Sequence, residues 1–454
     1  MVGRRMRGPT AATVCIAMAV LLAGCQWMSS GWDASGSADN TVDTQVGIGN
    51  VAGLHLDWRA DPGTGQDAGV TPVATGNTLI SVARFAAVAE LDAYSANGTA
   101  GCSGSPRTCV PLWHATGTSF SQPLAVDGVV YVDNSGVLDA YDASGVRNCS
   151  GTPAVCLPLW SGTGAGGHPI FEDGRVYVAG SDEIDAYATD ASGCSGTPVV
   201  CHPVATYRTH DLCSAASCPV VALVADHDRL YASVVFASTI TIPFPGGPVQ
   251  EPTITQSVAA YDLGGGGSPA FQQQYNYELG QAPAASGLMD VGGQIYATGS
   301  NAPLLSNWSP FVGIKAFTPY GVTSWQSRGL LGIPAAAPDA IFAAGGPGIV
   351  ACAPAVGCGA VSSSDPLAPL RSYDAGTHGV TTGIALANGV LYAGGNDALL
   401  AFDESGHVGC TGTPAICQPV GVVPLASGAR ELSITNGRVV VTTASGQLIA
   451  YTAT

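Results

Sequence analysis

A short pattern of apolar positions recurs along the chain and predicts most of its architecture. Each copy reads apolar residue, any residue, alanine, aromatic residue, and an eighth, degenerate copy carries cysteine at the last position. The alanines lie 47, 46, 74, 56, 35, 50 and 49 residues apart. A period of about 40–50 residues built from short strands is typical of a β-propeller. The copies are Leu91–Tyr94, Leu138–Tyr141, Ile184–Tyr187, Val258–Tyr261, Ile314–Phe317, Ile349–Cys352, Leu399–Phe402 and Leu448–Tyr451.

The copy that begins at Pro123 shows the strands within one repeat. Apolar runs flank Asp127 and Gly128, and an Asp-Gly pair in that setting favours the type I′ turn of a β-hairpin. The tetrad strand follows a second turn, and Leu157–Trp160 follows a loop. We therefore predict that each repeat is a four-stranded antiparallel meander with the tetrad in its third strand.

The tetrad itself is interpreted as a packing motif. Its alanine allows neighbouring sheets to approach closely, while the aliphatic and aromatic residues fill the space between them. Three copies carry aspartate at the second position, namely Asp92, Asp139 and Asp185. We expect these carboxylates to face a rim or solvent, with a ring of three around a cation as the weaker alternative.

The two ends of the repeat region are predicted to complete one blade together. The last copy, Leu432–Tyr451, supplies only three strands, and Leu54–Trp58 matches the outer strand of the other copies. Pairing the two would close the ring and leave no open edge between the first and last blades. We predict an all-β fold: an eight-bladed propeller over residues 51–454, with seven blades as the alternative. Four tryptophans at equivalent outer-strand positions are predicted to dock one blade on the next: Trp58, Trp113, Trp160 and Trp325.

Residues 1–24 are predicted to be a signal peptide. Arg4, Arg5 and Arg7 precede an apolar stretch that is too short to span a bilayer comfortably. The sequence Leu-Ala-Gly-Cys that ends at Cys25 resembles the lipobox of bacterial lipoproteins, in which the cysteine thiol is acylated, as with palmitate. An ordinary secretory signal and a buried N-terminal helix are the alternatives. Residues 25–50 are rich in Ser, Gly, Asp and Asn and are predicted to be a flexible tether.

Charge excludes one class of partner. Loss of the signal peptide would change the formal net charge from −17 to −20. Nucleic-acid binding requires a basic surface, which this chain lacks, so no nucleic-acid partner is expected. Attraction to anionic lipid is equally unfavourable, and contact with the bilayer would come from the acyl chains of Cys25.

Twelve of the fourteen cysteines fall into six local pairs. An even number of cysteines in an exported chain favours disulfides. Zinc is the alternative, but structural zinc sites bring four ligands together, and these pairs lie on separate repeats. The predicted disulfides join Cys102 to Cys109, Cys149 to Cys156, Cys194 to Cys201, Cys213 to Cys218, Cys352 to Cys358 and Cys410 to Cys417.

The sequence nominates no catalytic residue, metal site or cofactor. The eight histidines are scattered, and neither a Gly-x-Ser-x-Gly nucleophile motif nor a helical metal-binding spacing occurs. Asp226, His227 and Asp228 form a tempting cluster, but they align with a turn of the previous repeat and are interpreted as a solvated hairpin tip. A pair of catalytic carboxylates drawn from distant blades stays an open alternative.

Two insertions distinguish the fourth and fifth repeats. Residues 236–256 and 301–312 lie between the second and third strands, and both are unusually apolar. Adjacent apolar loops on one face favour a partner-binding patch, opposite the face that carries the cysteine loops. The alternative is that they fold back over the central channel. The candidate binding residues are Ile242, Phe244, Pro245, Leu304, Leu305, Trp308 and Phe311.

The run from Tyr131 to Gly145, followed by Trp160, resembles the repeat of the pyrroloquinoline-quinone (PQQ)-like propeller family. Within that family the chain is most similar to lipid-anchored, non-enzymatic propellers, which include the scaffold that assists outer-membrane barrel assembly. The resemblance implies a protein on the extracytoplasmic face of the cell membrane that binds envelope proteins or cell-wall material. PQQ-dependent oxidoreductases share the fold, but this chain lacks their adjacent cysteine pair and an identifiable Glu/Asn/Asp calcium set. An oxidoreductase and a glycan-binding propeller remain the alternatives.

Overall fold

Eight β-sheets surround a central channel in the computed structural model and form an eight-bladed β-propeller. The fold class is therefore confirmed, and the seven-bladed alternative is wrong. The structure describes residues 27–60, 66–67, 69–86, 88–163, 166–180, 182–213, 218–242, 247–264, 266–278, 287–300, 312–328, 330–345, 348–359 and 367–453.

Each blade contains four antiparallel strands, named a to d from the channel outward. Blades 1 to 4 consist of Val73–Thr75, Thr78–Arg84, Ala89–Ser95, Trp113–Gly117; Leu124–Val126, Val129–Asp133, Val137–Asp142, Trp160–Thr163; Ile170–Glu172, Arg175–Ala179, Glu183–Ala188, Ala205–Arg208; and Val220–Asp226, Arg229–Ile242, Val249–Asp262, Phe271–Glu278. Blades 5 to 8 consist of Leu288–Val291, Gln294–Ser300, Val312–Phe317, Thr323–Arg328; Leu330–Ala337, Ala340–Gly345, Gly348–Cys352, Arg371–Tyr373; Ile384–Ala387, Val390–Gly394, Ala398–Asp403, Gly421–Pro424; and Ala429–Thr435, Arg438–Thr443, Leu448–Thr452, His55–Ala60.

The connections leave the blades at two faces, because consecutive antiparallel strands run in opposite directions. The a–b turns and the c–d connections leave at one face, which we call the turn face. The b–c connections and the links between blades leave at the other, which we call the hairpin face. Short 3₁₀ turns are the only helical elements in the described residues, and none of them is a candidate for crossing a bilayer: Val51–Gly53, His210–Leu212 and Gly376–His378.

The tetrad lies in strand c of every blade and packs as predicted. Its alanines are almost completely buried, which lets adjacent sheets approach closely. The aspartate prediction is wrong, however. Residues two apart in a strand share a face, so the aspartate lies on the same side as the buried aromatic residue. Asp92, Asp139 and Asp185 are buried in three different spaces between blades and form no ring.

The N-terminal strand completes the eighth blade. His55–Ala60 pairs antiparallel with Leu448–Thr452, and Trp58 lies opposite Ala450. The prediction of ring closure is confirmed. The sheet of blade 8 is therefore continuous from strand a to strand d, and a hydrogen-bonded ladder within this blade joins the two ends of the repeat region.

The four outer-strand tryptophans dock their blades on the next blade, as predicted. Trp58 of blade 8 stacks on Tyr94 of blade 1 with ring centroids 6.4 Å apart, and its indole N–H donates to the Ala96 carbonyl at 3.2 Å. Gly98 covers the ring, with φ at +64°, and a Cβ there would come within 2.3 Å of the indole. Trp113 repeats the arrangement with Tyr141 and Gly145 one blade further on.

All six predicted disulfides form, so the zinc alternative is wrong. Four of them close small hairpins in c–d connections, and each hairpin adds strands to the sheet of the preceding blade. Ala154–Cys156 of blade 2, for example, pairs parallel with Trp113–Gly117 of blade 1. The sequence did not indicate this cross-blade pairing. The hairpin strands are Cys102–Ser103, Arg107–Cys109, Cys149–Gly151, Ala154–Cys156, Cys194–Ser195, Val200–Cys201, Cys410–Thr411 and Ala415–Cys417.

The flexible-tether prediction is wrong for residues 27–50. Trp27 is 1 % exposed, and Asn40 and Asp43 are also buried. Asp39–Asn40 forms a parallel pair with strand a of blade 7, and the Asn40 amide donates to the Ile434 carbonyl of blade 8 at 2.8 Å. The small polar residues that suggested a tether instead fit a narrow path along the inner strands. Outside the blades, Gln66–Asp67 pairs with strand b of blade 1.

Candidate functional site

The N-terminal segment follows the inner wall of the central channel at the turn face. Its carbonyls accept hydrogen bonds from backbone N–H groups near the ends of strands a, each one or two residues before the a–b turn. These bonds reach six blades, each at 2.8 Å: Ala74 to Trp27, Ala125 to Met28, Ala225 to Ala34, Asp290 to Ser35, Ala336 to Ser37 and Leu386 to Ala38. The chain's own N-terminal segment therefore occupies the mouth of the channel at this face.

Acidic side chains gather near this channel mouth. Asp290 is 3 % exposed, and burial, followed by the charge of Asp226, raises its pKa to about 7. Burial also raises the pKa of Asp33, although hydrogen bonds from Ser35 oppose the shift. Burial and then Asp33 raise the pKa of Asp39 to about 6. Asp290 is therefore partly protonated near neutral pH, and within the described residues these carboxyls do not converge closely enough to form a three-ligand metal site.

One group of possible metal ligands lies at the hairpin face. Single ligand atoms of Asp182, His210 and Cys218 lie within 4.8 Å of one another. The Cys218 sulfur, however, is bonded to Cys213 and cannot act as a thiolate ligand. Two remaining ligands on an exposed surface do not make a structural or catalytic centre.

Two further polar features lie in turns or connections, and only the first of them was predicted from the sequence. His227 is exposed and has φ of 51°, in the a–b turn between Val220–Asp226 and Arg229–Ile242, which confirms the hairpin-tip interpretation. Asp142 lines a shallow cleft between blades 1 and 2. Burial alone would raise its pKa, but hydrogen bonds from Ser144, Val146 and Arg147 lower the pKa to about 2. The Asp142 carboxylate therefore accepts hydrogen bonds from the c–d connection and stabilises its conformation.

The insertion of blade 4 is the most pronounced departure from the repeat. Residues 236–256 were expected to form a loop, but they extend strands b and c into a long hairpin. Arg229–Ile242 pairs with Val249–Asp262 without a register shift, from Arg229 opposite Asp262 to Ile242 opposite Val249. Each strand has 14 residues, and at about 3.4 Å per residue the extension beyond the neighbouring sheets is roughly 20 Å.

The inner edge of this hairpin lacks a strand partner in the part of the chain that the structure describes. Strand a reaches only to Val220, opposite Val234, and the Val235 N–H donates to the Pro219 carbonyl. Backbone N–H groups alternate in direction along a strand, so those of Ala237, Thr239 and Thr241 point to the same open edge as that of Val235. Pro252 lies opposite Thr239, where its missing N–H costs the ladder no hydrogen bond. Among the described residues, Ala237–Ile242 therefore presents a strand edge without a partner.

Most candidate residues of the predicted patch lie outside the described residues: Phe244, Pro245, Leu304, Leu305, Trp308 and Phe311. Ile242 ends strand b of the long hairpin. In blade 5, Ser300 lies opposite Val312 at the end of strands b and c, and residues 301–311 lie outside the described residues. The Cys213–Cys218 disulfide departs from the predicted division of faces, because it lies in the link between blades 3 and 4.

Exposed hydrophobic side chains are concentrated on the turn face. Most of the exposed large hydrophobic residues of the described chain belong to c–d connections, where the stapled hairpins leave the blades. Single exposed aliphatic residues are ordinary, but a recurrent set on one face indicates a contact surface. The set comprises Val110, Val146, Val155, Leu157, Val199, Val204, Tyr320, Val322, Val356, Leu370, Val408 and Ile416.

Comparison with solved structures supports the propeller fold. BamB from Moraxella catarrhalis matches with a TM-score of 0.52 and 13% identity, covering 88% of this chain and 97% of that chain. A europium-containing methanol dehydrogenase matches with a TM-score of 0.55 and 11% identity, covering 96% of this chain and 99% of that chain. No family model and no curated protein matches the sequence.

The likeness supports the β-propeller fold alone, and the resemblance to the PQQ-like family is a prediction from the sequence. At these identities the shared architecture assigns no reaction and no partner, because function depends on the site rather than on the fold. The neighbours include both BamB and a dehydrogenase. The choice between a binding protein and an enzyme therefore depends on this chain's own residues.

Proposed function

We propose that this chain is a membrane-anchored, extracytoplasmic propeller that binds other envelope proteins through its hairpin face. The observation that carries the proposal is the open edge of Ala237–Ile242 on the projecting hairpin of blade 4. An open strand edge binds an extended segment of another protein by adding it to the sheet, with backbone hydrogen bonds supplying affinity.

The channel mouth favours binding over catalysis. A quinoprotein-type enzyme needs a polar, carboxylate-lined channel that its cofactor and substrate can enter. At the turn face, carbonyls of Trp27, Ala34 and Ala38 are bonded to the inner strands, so the chain itself occupies that mouth. The carboxyl of Asp290 is buried at the same face, and burial raises its pKa to about 7, so its charged form is less favoured there than in water.

A proline substitution at the open edge tests the binding mode. Thr239→Pro removes one N–H that points away from strand c, so the b–c ladder keeps its hydrogen bonds. Thr239→Val is the matched control, because it retains the N–H and the β-branched shape. Partners captured from envelope extracts by the wild-type protein would be identified by mass spectrometry, and their affinities for both variants measured.

We expect Thr239→Pro to weaken the captured partner about tenfold, which corresponds to about 1.4 kcal/mol, and Thr239→Val to change affinity little. Equal affinity of the proline variant and the wild type would contradict strand addition. The enzyme alternative has its own test, which is addition of PQQ and Ca²⁺ to the purified protein. A bound-quinone spectrum together with dye reduction would overturn the proposal of a non-enzymatic role.

A further inference from the structure

The described chain begins inside the fold, at the turn face. The Trp27 side chain is 1 % exposed, and its carbonyl accepts a hydrogen bond from the Ala74 N–H at 2.8 Å. The Met28 carbonyl is held in the same way by the Ala125 N–H at 2.8 Å. Both donors lie just before the a–b turns of blades 1 and 2. The first described residues are therefore held at the turn face by backbone hydrogen bonds.

This attachment limits the distance between the propeller and a lipid on Cys25. Only Gln26 separates Cys25 from Trp27, and two residue steps span at most about 7–8 Å. Each headgroup region of a bilayer is roughly 5–8 Å thick. A flexible tether of about 25 residues would instead have a root-mean-square length of roughly 25–30 Å and would impose no orientation.

The same face carries the exposed hydrophobic set of the c–d connections. Val110 is 59%, Val146 75% and Leu157 67% exposed, and these residues belong to blades 1 and 2, where Trp27 and Met28 are held. The net charge of the chain is strongly negative, so an electrically neutral lipid surface suits this face better than an anionic one.

We propose that the turn face lies directly on the headgroup layer of the membrane that holds the acylated Cys25, and that the hairpin face points away from it. The exposed residues of the c–d connections then contact a phospholipid monolayer. The inference rests on the lipid anchor of the proposed function and adds a fixed orientation to it. The long hairpin of blade 4 then projects away from the membrane, where a protein partner has access to its open edge.

Hydrogen exchange of the full-length, acylated protein tests the orientation. The protein would be compared in phosphatidylcholine vesicles and in detergent, with exchange followed by mass spectrometry. We expect several-fold slower exchange in the vesicles for residues 107–112 and 146–159 and no change for residues 229–262. Slower exchange of 229–262, or equal effects at both faces, would overturn the proposal.

An insertion variant separates orientation from anchoring. About twenty Gly/Ser residues between Gln26 and Trp27 would keep the acyl anchor but release the propeller from the surface. We expect the protection of residues 107–112 and 146–159 to disappear, and its persistence would contradict orientation by a short connection. The intact mass of the N-terminal peptide reports acylation of Cys25, and an unacylated cysteine also overturns the proposal. Partner capture in detergent reports the binding function separately, so the two can fail independently.

Discussion

The two faces of this propeller are built by different means. At the turn face, the N-terminal segment bonds to six inner strands, and four stapled hairpins extend the sheets of preceding blades. At the hairpin face, strands b and c of blade 4 extend beyond the ring, and the edge of strand b at Ala237–Ile242 has no strand partner in the described part of the chain. The comparison shows that one face joins blades to each other, whereas the other presents backbone to a partner. Stability is therefore expected to depend on the turn face and binding on the hairpin face.

Removal of the N-terminal segment is expected to have the largest effect. A variant in which Gln26 is joined to Thr41 loses six backbone hydrogen bonds and the burial of Trp27. At about 1 kcal/mol per bond, the free energy of unfolding should fall by on the order of 5 kcal/mol or more. Thermal unfolding followed by circular dichroism measures the change.

The matched control shortens the opposite face. Replacement of residues 237–254 by an Asn-Gly turn removes the projecting part of the hairpin and leaves the ladder from Arg229 to Phe236. We expect a change of less than about 1 kcal/mol in stability and loss of partner binding. A larger loss of stability in this control than in the truncation would reverse the comparison.

Gly98→Ala tests the docking of blade 1 on blade 8. Gly98 has φ of +64°, and a Cβ would come within 2.3 Å of the Trp58 indole. Gly128→Ala is the control, since Gly128 has φ of +77° but open space around the added Cβ. We expect a cost of about 1 kcal/mol from the backbone at both sites and roughly 2 kcal/mol more at Gly98 from the overlap. Equal costs in denaturant unfolding would show that the indole moves aside freely.

The ring of blades could be predicted because its signals are local and periodic. Backbone pairing between distant segments could not be predicted from the sequence. The tetrad alanines, the turn glycines and the outer-strand tryptophans each satisfy a local requirement, so the sequence displays the blades and their closure. The path of Trp27–Asn40 has no such signal, because its carbonyls bond to backbone N–H groups, which any residue supplies. The pairing of Ala154–Cys156 with the previous blade is equally invisible. Of the candidate site, the location of the blade 4 insertion was predictable, but its extended strand form was not.

Two disulfides that close loops of similar length, with sequence separations of 7 and 5, allow the two faces to be compared. Replacing both Cys149 and Cys156 by serine removes a staple at the turn face, and the loop-closure term alone amounts to roughly 2.5 kcal/mol. The same double change at Cys213 and Cys218, in the link between blades at the hairpin face, has a similar loop-closure term. We expect the first variant to lose more stability and to exchange amide hydrogens faster in Trp113–Gly117, the strand that the hairpin covers. Equal losses, with unchanged exchange in that strand, would show that the hairpin contributes nothing across the blade boundary.

The smallest expected effect is the pH dependence of stability, which should differ between a carboxylate buried between blades and a carboxylate held in a turn. Burial, then the charge of Glu90, raises the pKa of Asp92 to about 7, whereas hydrogen bonds lower that of Asp142 to about 2. A raised pKa means that Asp92 costs stability as pH rises from about 4 through 7, because the folded state must then ionise a buried group. Asp92→Asn should therefore stabilise the protein at pH 8 by on the order of 1–2 kcal/mol and have little effect at pH 4.

Asp142→Asn should do the opposite: it destabilises at pH 7, and the difference from the wild type shrinks as pH falls towards 2. Denaturant unfolding of the three proteins across this range measures both signs, and parallel profiles for the two variants would show that the two carboxylates do not differ in environment.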